Sequence, residues 1–240
     1  MIGTVLIVVA IAALVGGWWL LRQNGSTWRV GRLLAVAPRR TLAEAAALAR
    51  SGEEAYVRVH GRIDSAEEFP DHEGRPIVYR RRRMQQRSGR RGWRTFDDER
   101  LAVPFGLREH GEVVAIDVDA LGDGLVVVPR ESEGVAADLT AEAVSGSLPQ
   151  LAPDLPVRLR IDQVSSTDHA DAAGVPRLAE DGSVVLGPGL GRPLLLTTLD
   201  QDEAMRVLAG DRRRELLVAL GLLVASPVVF VGGLLLLLLS

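Results

Sequence analysis

The chain contains no cysteine. That excludes disulfides, thiolate nucleophiles and every zinc site built on cysteine ligands, and it leaves the redox compartment undetermined. Lysine is absent as well, so all 28 basic residues are arginines. Such a chain offers no Schiff base, no phosphate-loop lysine and no side-chain amine for acylation or ubiquitination. A genome whose codon usage favours Arg, Ala and Gly accounts for the bias. Charge excess of one sign is missing too. A net charge of -3 demands no polyanionic or polycationic partner, and no nucleic acid partner is expected. Any electrostatic argument has to be local.

Reactive constellations are equally scarce. His60, His72, His110 and His169 are scattered without ligand spacing, and no Ser, His and acid arrangement is legible. Neither a metal nor another cofactor is expected, and no catalytic residue. Asp117 and Asp119 lie two apart on an expected strand and read as a solvated face, because paired carboxylates need a cleft to do acid-base work. Gly187-Pro188-Gly189-Leu190-Gly191-Arg192 has the glycines of a phosphate loop, but Pro193 and an apolar run follow where a helix is required. It reads as a turn between strands. Asp71-His72-Glu73-Gly74 reads as another turn.

What the sequence has in quantity is apolar residues at its two ends. Ile2 to Leu21 carries no charge, and twenty residues at helical rise span roughly 30 Å, the thickness of a bilayer's hydrocarbon core. A cleaved signal peptide needs a basic stretch before the apolar run. Met1-Ile2-Gly3 supplies none, and the run ends in Trp18-Trp19-Leu20-Leu21-Arg22, an interfacial aromatic anchor followed by a charge. Leu216 to Leu239 is a second uncharged run, with Pro227 expected to kink it. The expected organisation is a membrane helix over 1–21, a β-rich domain over 22–215 and a second membrane helix over 216–239. The lipid bilayer is thus the first expected partner, and the plasma membrane the expected location in a prokaryote. Arg22, Arg29, Arg32, Arg39 and Arg40 follow the first run, and Arg206, Arg212, Arg213 and Arg214 precede the second, which places the domain on the cytoplasmic side.

Between these ends the pattern is that of strands. Val57, Val59, Gly61 and Ile63 alternate with Arg58, His60, Arg62 and Asp64. Val114 to Ala120 and Val157 to Asp162 alternate in the same way. Shorter apolar runs at Leu125 to Val128, Val184 to Leu186 and Leu194 to Leu199 predict further strands. Thr41-Leu42-Ala43-Glu44 is a capping box opening an alanine-rich helix that Gly52 ends, and Asp200 reads as the cap of a second helix. Glu131 to Pro156 is expected to be a helix-containing connector, and Ser165 to Gly174 a polar loop. The fold class is mainly β (α+β), with one or two small barrel-like sheets.

One feature is locally extreme: Arg80-Arg81-Arg82-Arg83, followed by Arg87, Arg90, Arg91 and Arg94. With Ser88 to Gly92 as a hairpin tip, outward pairing sets Arg83 opposite Asp97, Arg82 opposite Asp98 and Arg81 opposite Glu99. Such pairs contribute some tenths of a kcal/mol each and cancel the field. Arg87, Arg90, Arg91 and Arg94 then stay uncompensated at the tip, as candidates for contact with anionic headgroups or a partner, with Trp93 expected to pack on the hairpin.

The order of these pieces resembles a known family. An N-terminal span, the Val57 to Ile63 strand, Gly74-Arg75-Pro76-Ile77-Val78-Tyr79-Arg80, Val103-Pro104-Phe105-Gly106-Leu107, the Gly111 to Asp117 segment and a second span are similar to the GIDE family of membrane-anchored E3 ubiquitin ligases. The resemblance implies that the central segment is a beside-a-membrane domain. In that family, ligase activity lies in a zinc-binding RING domain after the second span, and this cysteine-free sequence has no counterpart for it. The family's organelle members hold the domain between two membranes, the side opposite to that given by the arginine flanks.

Three functions are therefore expected to compete. The first is a non-enzymatic binding or sensing module at the membrane, engaging an unknown protein partner or a lipid-linked ligand. The second is assistance to ubiquitin-like transfer with a separate RING-bearing partner. The third is a scaffold whose arginine tip touches anionic headgroups.

Overall fold

The computed structural model describes residues 10, 11, 13–16, 32–89, 92–139, 151–200, 203, 221, 226, 227 and 231. The chain divides into a terminal unit, 1–35 with 205–240, and a central unit, 36–204. In the terminal unit, positions 10, 11, 13–16, 221, 226, 227 and 231 are helical. There the Ser226 hydroxyl donates to the Ala10 carbonyl at 2.8 Å, and both residues are buried. The two runs expected to span a membrane lie mostly outside the described residues, as does the helix expected to follow Asp200. Among the described residues, no helix is long and apolar enough to cross a membrane.

The central unit contains the helix α1 (Leu42–Ser51) and the strands β1 (Val57–Asp64), β2 (Phe69–Pro70), β3 (Pro76–Ser88), β4 (Gly92–Ala102), β5 (Gly106–Glu109) and β6 (Glu112–Ile116). A one-turn helix α2 (Val118–Leu121) follows, then β7 (Leu125–Val126), β8 (Arg130–Val135), β9 (Pro156–Ser165), β10 (His169–Leu178), β11 (Val184–Gly187) and β12 (Leu195–Thr197). Helix α1 starts and stops where its residues dictate. Thr41 and Glu44 close a reciprocal capping box, and Gly52 takes the left-handed C-cap conformation.

Strands β1, β5, β6, β11 and β10 pair in that order, and β10 pairs back to β1, closing a five-stranded barrel. All contacts in the ring are antiparallel except β6 with β11. Strand β12 joins β10 on one side and β7 on the other. A second, open half-barrel sheet runs β2-β3-β9-β8, with β4 on β3. The apolar faces of β1, β5, β6, β10 and β11 share one core with α1 and with Val78, Tyr79 and Val164 of the open sheet. Closure brings backbones close together. A Cβ on Gly106 of β5 would sit 2.6 Å from the Val114 carbonyl oxygen of β6, so the corner accepts only glycine.

Several sequence expectations need correction. The strand expected over Val114 to Ala120 ends at Ile116 because Asp117 turns the chain, accepting the Ala120 amide at 3.1 Å as cap of α2. The polar loop expected over Ser165 to Gly174 is largely β10, a central strand pairing with β1, β11 and β12. Ala170, Ala172 and Ala173 there are buried, and their small side chains admit α1, whose own Ala45, Ala46 and Ala49 are buried. The expected helix-containing connector from Glu131 opens instead as β8, continues into a single 3-10 turn at Ala136–Asp138, and then passes outside the described residues at 140–150.

The expected turns are present. Gly189 and Arg192 exchange backbone hydrogen bonds around Leu190 and Gly191, both at positive φ. Asp71 folds the turn ending at Gly74 by accepting the Glu73 and Arg75 amides at 2.8 and 2.9 Å.

Candidate functional site

Among the described residues the longest strand pair is β3 with β4, and it carries the arginine run as a hairpin. Its register differs from the expected one by a single residue. Arg83 faces Asp98, Arg82 faces Glu99 and Arg81 faces Arg100. The cause is a bulge: Gln85 pairs with Thr95 and Met84 with Asp97, leaving Phe96 as the extra residue of β4.

Even so, three arginines of the run, Arg81, Arg82 and Arg83, each meet an acid, while Arg80 lies over the Phe69 ring and exposed Arg100 makes no ion pair among the described residues. Arg82 pairs with Glu99 at 2.9 Å. Arg81 is nearly buried and grips Asp98 with two bonds at 2.8 and 2.6 Å, while its third nitrogen reaches Asp123 at 2.5 Å. These bonds hold the Asp98 and Asp123 carboxyls below the usual carboxylate range, against the burial that would raise them. Next along the same face, Arg83 donates to Asp162, which also meets Arg160 at 3.5 Å. Glu131 on β8 then takes Arg160 and Arg158 at 3.1 and 3.2 Å. On this face Arg81, Arg83, Arg158 and Arg160 are balanced by Asp98, Asp123, Asp162 and Glu131. These eight charges cancel one another, and exposed Arg100, opposite Arg81, is left as an added cation on that face.

The tip is different. Arg87 and Arg158 lie over the Trp93 ring, 5.8 and 4.7 Å from its centre. Arg158 is held there by Gln85, whose amide oxygen accepts from it at 2.7 and 3.0 Å. Trp93 is half-buried, packed on its hairpin as expected, and flanked by cations. Arg94 is exposed and makes no ion pair among the described residues. Arg90 and Arg91 lie outside them. From Gln85 to Thr95 the sequence holds four arginines and no acid.

Beyond the hairpin, folding assembles groups that sequence spacing keeps apart. Antiparallel pairing of β1 with β10 stacks His60 on His169, ring centres 6.0 Å apart. Asp171 lies beside them, meeting the buried Arg58 at 2.5 Å and His60 at 3.2 Å. The sequence signal for this cluster was only the shared outward face of Arg58 and His60. Among the described residues no group of three or more His, Asp or Glu side chains is arranged to hold a metal ion. Asp117, expected on an exposed strand face beside Asp119, is a helix cap.

Asp71 is a structural centre. Its burial would raise its carboxyl, but bonds from the Arg75 and Glu73 amides, Gln163 and the Arg75 side chain outweigh that and bring it down to about 2. A cleft of about 490 Å³ also opens between the barrel and the open sheet, lined by Arg62, Asp64, Glu68, Arg108, Ser166 and Thr167 among others.

The chain matches no family model, no curated protein and no solved structure.

Proposed function

We propose that this chain is a non-enzymatic binding module held at a membrane by its terminal segments, with the tip of the β3–β4 hairpin as its contact for anionic lipid headgroups. One observation carries the reading: acids pair with Arg81, Arg82 and Arg83 at the hairpin's base, while its tip, from Gln85 to Thr95, holds four arginines and no acid around a cation-flanked tryptophan. Basic side chains near an anionic bilayer contribute roughly 1 kcal/mol each, and tryptophan favours the headgroup region. Tethering adds to this. A domain confined to the surface meets it at high effective concentration, so a weak contact suffices. The uncharged runs at Ile2 to Leu21 and Leu216 to Leu239 support the tether. The resemblance to the GIDE family supports a domain set between two spans. Assistance to ubiquitin-like transfer has only that resemblance in its favour.

The test uses the full chain with Ser88→Cys, the only cysteine it then contains, labelled with an environment-sensitive dye. Ser88 is exposed at the hairpin end and avoids the left-handed Gly89 beside it. In vesicles containing phosphatidylserine the emission is expected to shift to the blue, to be quenched by brominated lipid, and to revert as salt rises. Identical emission in phosphatidylcholine and phosphatidylserine vesicles rejects the headgroup contact.

A further inference from the structure

We propose that the cleft between the barrel and the open sheet binds a small zwitterion, its anionic end at Arg62 and its ammonium end at Glu68. The volume, about 490 Å³, is that of a small-molecule site. What selects the ligand is which charges are already engaged. Four charged side chains line the cleft: Arg62, Asp64, Glu68 and Arg108. Asp64 and Arg108 bind each other at 2.6 Å. Arg62 and Glu68 make no ion pair or side-chain hydrogen bond among the described residues, although both are exposed to the cleft. The cleft thus presents one uncommitted cation and one uncommitted carboxylate.

The register sets Arg62 among other basic side chains. Arg62 of β1 lies directly opposite Arg108 of β5 on one side and His169 of β10 on the other. Asp64 offsets the charge of Arg108, which leaves Arg62 as the guanidinium of this pair without a counter-charge, and an anionic group bound there supplies one. Thr167 and the largely buried Ser166, on the turn between β9 and β10, bring hydroxyls to the same wall. A bare phosphate or carboxylate satisfies only half of the cleft, because Glu68 repels it. A ligand with an ammonium group turns that repulsion into attraction. This chemistry has two sources, a free zwitterion such as phosphoethanolamine or the headgroup of phosphatidylethanolamine. The site is separate from the hairpin tip, and neither proposal depends on the other.

The experiment titrates the detergent-solubilised full chain by calorimetry with O-phosphoethanolamine, dihexanoyl phosphatidylethanolamine, inorganic phosphate and ethanolamine. At least one of the first two is expected to saturate at millimolar concentration or below, and to bind better than phosphate or ethanolamine. Binding of the lipid alone identifies the headgroup as the source; binding of the free compound identifies the soluble ligand. Arg62→Gln and Glu68→Gln are each expected to weaken it about tenfold, the cost of one charge-assisted contact. Glu68→Gln is expected to leave phosphate binding equal or stronger, a signature that loss of fold does not produce. The proposal is overturned if no zwitterion saturates, if phosphate binds as tightly as phosphoethanolamine, or if neither variant changes the affinity while thermal melting stays that of the parent.

Discussion

Arg81 and Asp98 are joined by two parallel hydrogen bonds across the β3–β4 hairpin, with the guanidinium almost wholly out of solvent. Asp98→Asn keeps the shape and removes the charge, leaving Asp123 as the one carboxylate paired with Arg81 among the described residues. Removing one partner of a largely desolvated pair leaves the other charge under-satisfied. The variant is expected to lose about 1–3 kcal/mol in urea denaturation, the range for a charged group deprived of its partner. Unchanged stability would mean that the pair is no better than a solvated one.

Acid sensitivity is expected to centre on Asp71. Its folded carboxyl titrates at about 2, below its ordinary value of 3.8. A group depressed on folding contributes stability that is fully present above the unfolded value and is lost as pH falls through the folded one. The wild type should therefore lose stability between pH 3.8 and about 2. Asp71→Asn should flatten the stability profile in that window, which thermal melts across the pH range measure directly.

Charge at the hairpin tip sets the expected membrane contact. Arg94→Glu replaces an exposed cation with an anion, a change of two charges worth about 2 kcal/mol near an anionic surface. Quenching of the Ser88→Cys label by brominated phosphatidylserine should weaken accordingly, with the half-saturating lipid fraction rising markedly. Arg82→Glu at the base should cost fold stability instead, since it sets a second acid face to face with Glu99.

Barrel closure rests on contact too close for a side chain. Gly106→Ala would put a methyl 2.6 Å from the Val114 carbonyl oxygen, so β5 and β6 must separate. Overpacking of this kind costs about 1–3 kcal/mol, and a lowered melting temperature is the check.

Much of the fold was legible because it follows from local chemistry. The Val57 to Ile63 alternation makes β1, and the Thr41–Glu44 box starts α1 at Leu42. Strand β10 was not legible, since Ala170, Ala172, Ala173 and Gly174 have poor strand propensity and are chosen for the closeness of α1 and of neighbouring backbone. The order of charges around Ser88 to Gly92 made the hairpin legible, and acids do lie opposite Arg82 and Arg83, whereas Arg81 faces Arg100. The one-residue shift was hidden, because nothing local marks Phe96 as a bulge. The stacked histidines and the Arg62–Glu68 cleft lay beyond reach for a different reason: they exist only once β1 has paired with β5 and β10.

Attachment to a bilayer underlies the proposed role of the hairpin tip, and alkaline carbonate extraction of membranes containing the full chain tests it most directly. The polypeptide is expected to remain in the pellet with the lipid and to be released only by detergent. Recovery in the carbonate supernatant would contradict anchoring through the terminal segments and, with it, the proposed role of the hairpin tip.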